Sequence, residues 1–208
     1  MAVEISYADF SIIALLIIFG FEGYRTGLFK GILSIGGFFF ALLISVITLP
    51  YSARFFNFVI ELPTNISILM GFSTIFVLLL LLHALFLQWV HTIMKMEVVD
   101  WFNRLSGTLI GLYKGLLTVS LLSLGFLLLP LPELVKSAET RSLFIPSVKY
   151  FAPKNYNLFR KLNPYIPSFE QTLKNTFALM QKEPDAMAAN LIKDFGVLLL
   201  EKNVTQKR

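Results

Sequence analysis

Gly107-Thr108-Leu109-Ile110-Gly111-Leu112-Tyr113-Lys114-Gly115 opens an apolar run that ends near Leu129. Its glycines stand four residues apart, so on a helix they form one smooth stripe. In water each helical glycine costs roughly 1 kcal/mol against alanine. In lipid that cost is offset where two helix backbones approach closely along the stripe. The same pattern stands 84 residues earlier, as Gly23-Tyr24-Arg25-Thr26-Gly27-Leu28-Phe29-Lys30-Gly31. The match extends outward, Gly27 to Ser34 against Gly111 to Thr118. We read a duplicated helix start, with Lys30 and Lys114 at the same height. The helix-packing positions are then Gly23, Gly27, Gly31, Gly107, Gly111 and Gly115.

Around these stripes the sequence falls into four apolar runs, at about 8–23, 27–49, 64–89 and 107–129. The first is just long enough for a hydrocarbon core of about 30 Å. It lacks the basic start and small-residue cleavage site of a secretory signal, so it is expected to stay in the protein; a signal anchor or interfacial helix is the alternative. Glu22 to Lys30 reads as a short charged turn. Pro50 is expected to end the second run, with Tyr51 to Pro63 as an interfacial connector. Trp89 anchors the end of the third run. His91 to Ser106 reads as a loop holding Lys95, Glu97, Asp100 and Arg104, and Pro130 and Pro132 stop the fourth run. In lipid, backbone polar groups must pair within the segment, so all four runs are expected to be spanning helices. The predicted fold is all-α: a polytopic membrane domain over 1–130 with four transmembrane helices in two similar hairpins, and a basic, mostly helical region over 131–208.

Composition agrees. Of 208 residues 56% are hydrophobic and 15% charged, where a soluble domain carries about a quarter charged. The absence of cysteine excludes disulfides, thiolate metal sites and cysteine nucleophiles. The net charge of +5 comes from scattered residues with no recognition motif, which argues against nucleic acid and for loops beside a lipid bilayer.

From Pro130 onward there are 12 lysines and arginines against 7 acids. Ser168-Phe169-Glu170-Gln171 reads as a capped helix start, with Phe169, Leu173, Phe177 and Met180 on one face. A second amphipathic stretch begins near Pro184 and carries Met187, Leu191, Phe195, Leu198 and Leu199. Tyr150 to Pro167 is expected to lack long regular structure. These helices would lie on the membrane surface, pack on partner chains, or pack on one another. The loops after spans one and three carry Arg25, Lys30, Lys95 and Arg104, against Arg54 after span two. Basic loops stay cytoplasmic, so both termini are expected outside. Spans two and four then both run outward, and the stripes form a parallel repeat.

No catalytic constellation is present: no His-Glu-x-x-His, no phosphate-binding loop, no nucleophile elbow. His83 and His91 are too few ligands for a metal. The sequence therefore predicts no enzyme, no metal and no cofactor. The polar residues in or beside the runs remain. Lys30 and Lys114 snorkel to headgroups or line a polar vestibule. His83 bonds a neighbouring helix or relays protons. Asp9 reads as a cap for helix one, Asn103 as a cap for span four, and Arg104 as a ligand for phosphate headgroups.

These residues resemble the colicin V production protein family (CvpA). Three features carry the resemblance over about residues 6 to 130: Asp9 at the head of span one, the Gly23-x-Arg25-x-Gly27 turn, and Asn103-Arg104 before Gly107, Gly111, Lys114 and Gly115. The family usually has Asp where Asn103 stands, and often Glu where Gly31 stands. The resemblance implies a multi-pass protein of the bacterial inner membrane, linked to colicin V toxin production or export and to envelope stress tolerance. It agrees with a segment after span four that lies outside the cytoplasm. Helix-helix assembly, within the chain, as a homo-oligomer or with envelope and export proteins, is the first functional reading. A small channel or transporter is the second.

Overall fold

A computed structural model describes residues 6–93, 100–129, 140–161, 163 and 165–180. Every regular element among them is a helix: α1 (Tyr7–Val59), α2 (Thr64–Ile93), α3 (Asp100–Leu127), α4 (Ile145–Val148), α5 (Phe151–Arg160) and α6 (Phe169–Leu179). The stretch from Pro184 lies outside the described residues, as do Lys95, Glu97 and the side chain of His91.

α1 starts at a capping box. The Ser6 hydroxyl accepts from the Ala8 amide, and Asp9 accepts from the Ser6 amide, so amides at the helix start have partners. Its 53 residues are not one rod, because Gly27 takes φ 75° and ψ 178°. That left-handed region suits glycine, which has no Cβ to clash. The expected turn over Glu22 to Lys30 therefore narrows to one residue.

The two halves of α1 run in opposite senses along α3. In the first, Gly23 meets Gly107, Phe19 meets Gly111, and Leu16 meets Gly115. Beyond the break, Gly31 meets Ile110, and the Phe39 ring lies 6.4 Å from Tyr113. α2 returns along this second half: Gly71 faces Ala53, Phe76 lies 5.3 Å from Phe38, and His83 faces Gly37. The stripes thus share a sequence but not a conformation, since Gly27 breaks a helix while its counterpart Gly111 lies inside α3.

Pro50 does not end its helix, contrary to expectation; α1 continues to Val59. Proline removes one backbone bond and crowds the preceding turn, but membrane helices tolerate it when packing and hydroxyls re-satisfy the backbone. Here Val46, Leu49 and Ala53 around it are all buried in the core, so packing holds the helix through the proline. The connector shrinks to a tight turn, in which Asn57 Nδ2 and Ser67 Oγ both donate to the Leu62 carbonyl.

Tyr150 to Pro167 is also more regular than its composition suggests, because it contains α5. Pro153 sits in the first turn of α5, where a missing N–H costs nothing. Ala152 N donates to Ser120 Oγ at 2.8 Å, Tyr113 OH donates to Asn155 Oδ1 at 2.6 Å, and Phe159 stacks 4.1 Å from Phe39. In α6, Ser168 accepts from the Gln171 amide. Phe169, Leu173, Phe177 and Met180 then enter the same core as Phe38, Leu42 and Leu49. The described tail helices therefore cover the bundle itself. Tyr156 joins them, donating to the Pro167 carbonyl, and burial pushes its phenol up to about 12.

Candidate functional site

At the glycine crossing helix backbone meets helix backbone. A Cβ built on Gly23 would run into the Gly107 carbonyl oxygen, and one on Gly107 into the Gly23 carbonyl oxygen. A Cβ on Gly111 would meet the Phe19 carbonyl oxygen and lie 2.9 Å from Gly23 Cα. Gly31 and Gly115 leave 3.0 Å to Ile110 and Phe19 side chains.

Asn103 lies inside α3 rather than at its head, because α3 begins at Asp100. Its Oδ1 accepts the Leu28 amide at 2.7 Å. It thus caps the second half of α1 across the bundle, instead of its own helix as expected. Leu28 N–H needs an acceptor, which an amide supplies as a carboxylate would. Arg104 Nη1 meets Tyr24 OH at 3.3 Å and its guanidinium lies 5.5 Å from that ring, while Arg25 lies 5.9 Å from Phe21. Tyr24, Arg25, Gly27, Asn103 and Arg104 together line a hollow of about 390 Å³.

Beside the crossing, α1, α2 and α3 enclose a larger cavity of about 570 Å³. Glu22, Thr26, Lys30, Ser34, Gln88 and Lys114 supply its polar wall, and Gly23, Gly31 and Gly111 leave room for it. Lys114 Nζ is 3.4 Å from Glu22 Oε1 and 5.6 Å from the Phe19 ring centroid. The structure thus brings together Lys30 and Lys114, the two lysines matched in the sequence. His83 does not line this cavity; it lies against Gly37, with Nε2 buried and without a hydrogen-bond partner.

At the other end Asp9 is fully buried. Besides Ser6 it accepts from Ser142 Oγ at 2.5 Å, Leu143 N at 3.1 Å and Phe144 N at 3.2 Å. Ser142 Oγ accepts in turn from Ile145 N at 3.0 Å. Sequence reasoning found the cap and missed this second role. The available signal was Ser142 shortly before Ile145-Pro146, a serine followed by a first-turn proline.

Residues 8–153 match the family model described as colicin V production protein. The chain belongs to the colicin V production protein family. Comparisons with curated proteins and with solved structures gave no match. In this CvpA-family chain the match takes in both stripes, the Asn103 clamp, and Asp9 together with its partners at 142–144. Most of α5 and all of α6 lie beyond it. Among the described residues, three helices are long and apolar enough to cross a membrane; with the family, they make this a multi-pass membrane protein.

Proposed function

We propose that this protein crosses a bacterial inner membrane four times, with both termini periplasmic. In this reading it supports colicin V-type toxin production or export, or envelope integrity, as a non-enzymatic assembly of helices. The observation that carries the four crossings is the break at Gly27. It divides a 53-residue helix, far too long for one span, into halves that pass α3 in opposite senses. Arg25, Lys30 and Arg104 cluster at the break, which argues for a cytoplasmic position. The stripes act as the packing device between α1, on both sides of its break, and α3. The toxin role rests on the family's description, and homo-oligomer, envelope or export partners would use the outer faces of the bundle.

Topology reporters fused after Arg208 test the crossings. A periplasm-only reporter should be active and its cytoplasmic counterpart silent; the reverse result overturns the orientation. Deleting the gene in a colicin V-producing strain should lower toxin export or envelope stress tolerance. Gly107→Leu should fail to restore it; unchanged export and tolerance in the deletion strain would remove the proposed role.

The second reading, a small channel or transporter, is favoured by the polar cavity. Flux in liposomes that ignores Lys30→Gln, Lys114→Gln and His83→Ala would argue against a pore lined by them.

A further inference from the structure

The cavity beside the glycine crossing carries more positive charge than its own acid neutralises. Lys30 and Lys114 both line it, and Glu22 is the acid in its wall. Lys114 pairs with Glu22 at 3.4 Å. Among the described residues, no acid forms an ion pair with Lys30. Two ammonium groups thus face one carboxylate. Lys114 is part-buried, so an anion beside it is attracted more strongly than in open water.

The rest of the wall narrows the ligand class. Phe19, Leu87 and Ile110 line the same cavity, so one part of it suits an anion and another suits carbon chain. Its volume of about 570 Å³ falls in the range of small-ligand sites. Thr26 Oγ1 is committed to the Glu22 carbonyl at 2.8 Å, and the two lysines are the cations in the lining that can meet an incoming anion. Basic pockets between membrane helices are known to take anionic headgroups.

We infer that this cavity binds a phosphate-bearing amphiphile. Lys30 and Lys114 hold the phosphate, and Phe19, Leu87 and Ile110 hold the adjoining chain. The inference rests on the membrane-domain reading and on neither the toxin nor the flux role. The phosphate has two sources: a lipid headgroup, or a water-soluble phosphate ester entering from the basic end.

The test uses the purified full-length chain in phosphatidylcholine nanodiscs. Phosphatidylglycerol is titrated in by native mass spectrometry, and glycerol phosphate is titrated in a separate arm. Phosphatidylglycerol should bind at least tenfold more tightly than phosphatidylcholine. The Lys30→Gln/Lys114→Gln double variant should lose that tenfold preference. Lys30→Arg should keep it, and so should Arg54→Gln, which removes an exposed cation outside the cavity. Glycerol phosphate binding with the same lysine dependence would identify a soluble ester as the source; it would support the lysine pair as the phosphate site and overturn the apolar wall as a chain site. A preference that survives in the double variant, or no binding of either anion, overturns the inference. A cytoplasmic tail in the reporter experiment would overturn the orientation alone and leave this result standing.

Discussion

Alanine at Gly107 is the most searching perturbation of the helix crossing. Its Cβ would run into the Gly23 carbonyl oxygen, lie 2.7 Å from Gly27 Cα and lie 2.9 Å from the Gly27 carbonyl carbon. Ordinary contact begins at 3.4 Å, so clearing the nearest of these atoms requires the two backbones to part by about 1 Å at that level. All three obstructing atoms are backbone, and Gly27 is held by its left-handed φ and by the Asn103 clamp. A gap of about 0.5–1 Å forfeits a quarter to a half of each dispersion contact around it. Overpacking costs about 1–3 kcal/mol, and alanine returns about 1 kcal/mol of helix propensity. With backbone on both sides the net loss should be about 1–2 kcal/mol, a factor of roughly 5–30 in the folded ratio. Gly36 is the internal control, since nothing lies within 4 Å of a Cβ there. Gly36→Ala should be neutral or stabilising by up to about 1 kcal/mol. The assay is reversible unfolding of the purified chain in mixed detergent micelles, followed by the fluorescence of Trp89 and Trp101. Equal stability of the two variants would refute the argument. The loss should also be independent of protein concentration, because Gly107 packs on its own chain; a concentration-dependent loss would mean that the stripe faces another copy.

Asn103→Ala should destabilise by about 1–3 kcal/mol, the cost of stranding the Leu28 amide, whereas Asn103→Asp should stay within about 1 kcal/mol of the parent; the same unfolding assay reads both. Asp9→Ala removes the acceptor for Ser142, Leu143 and Phe144, so tryptic cleavage at Arg141 should speed up at least tenfold, and an unchanged rate would count against the link. The phenol of Tyr156 is raised to about 12 by burial against an ordinary value near 10. The folded state thus holds this proton more tightly than the unfolded one, and the contribution is complete below pH 10. It fades as pH rises from 10 to about 12, by roughly 2–3 kcal/mol. Ultraviolet titration of the phenolates should lose its most alkaline step in Tyr156→Phe.

The parts of the fold written in single segments were legible. Apolar runs announce membrane helices because lipid forces each backbone to pair within itself. Glycines at four-residue spacing announce a close approach because, without side chains, they let two helix backbones come near. The errors have a common physical source in contacts between distant segments. Pro50 looked like a stop because its intrinsic cost is large, yet the packing of its buried neighbours keeps the helix going. α5 looked irregular because Pro, Asn and Tyr are weak helix formers, but it folds against Ser120, Tyr113 and Phe39. Asn103 sat near a helix start and was assigned to it, while its partner Leu28 lies 75 residues away. The paired lysines were visible as a repeat, but no spacing rule gives the cavity between them.

The Asp9 link also has a consequence for the order in which the chain is built. Its partners Ser142 to Phe144 follow it by 133 to 135 residues. At about 5–20 residues per second of synthesis, they leave the ribosome about 7–27 s after Asp9. For that interval the head of α1 must insert with its carboxylate still in water or among headgroups. Its burial, and with it the closure of that end of the bundle, must wait until the segment after α3 has been made.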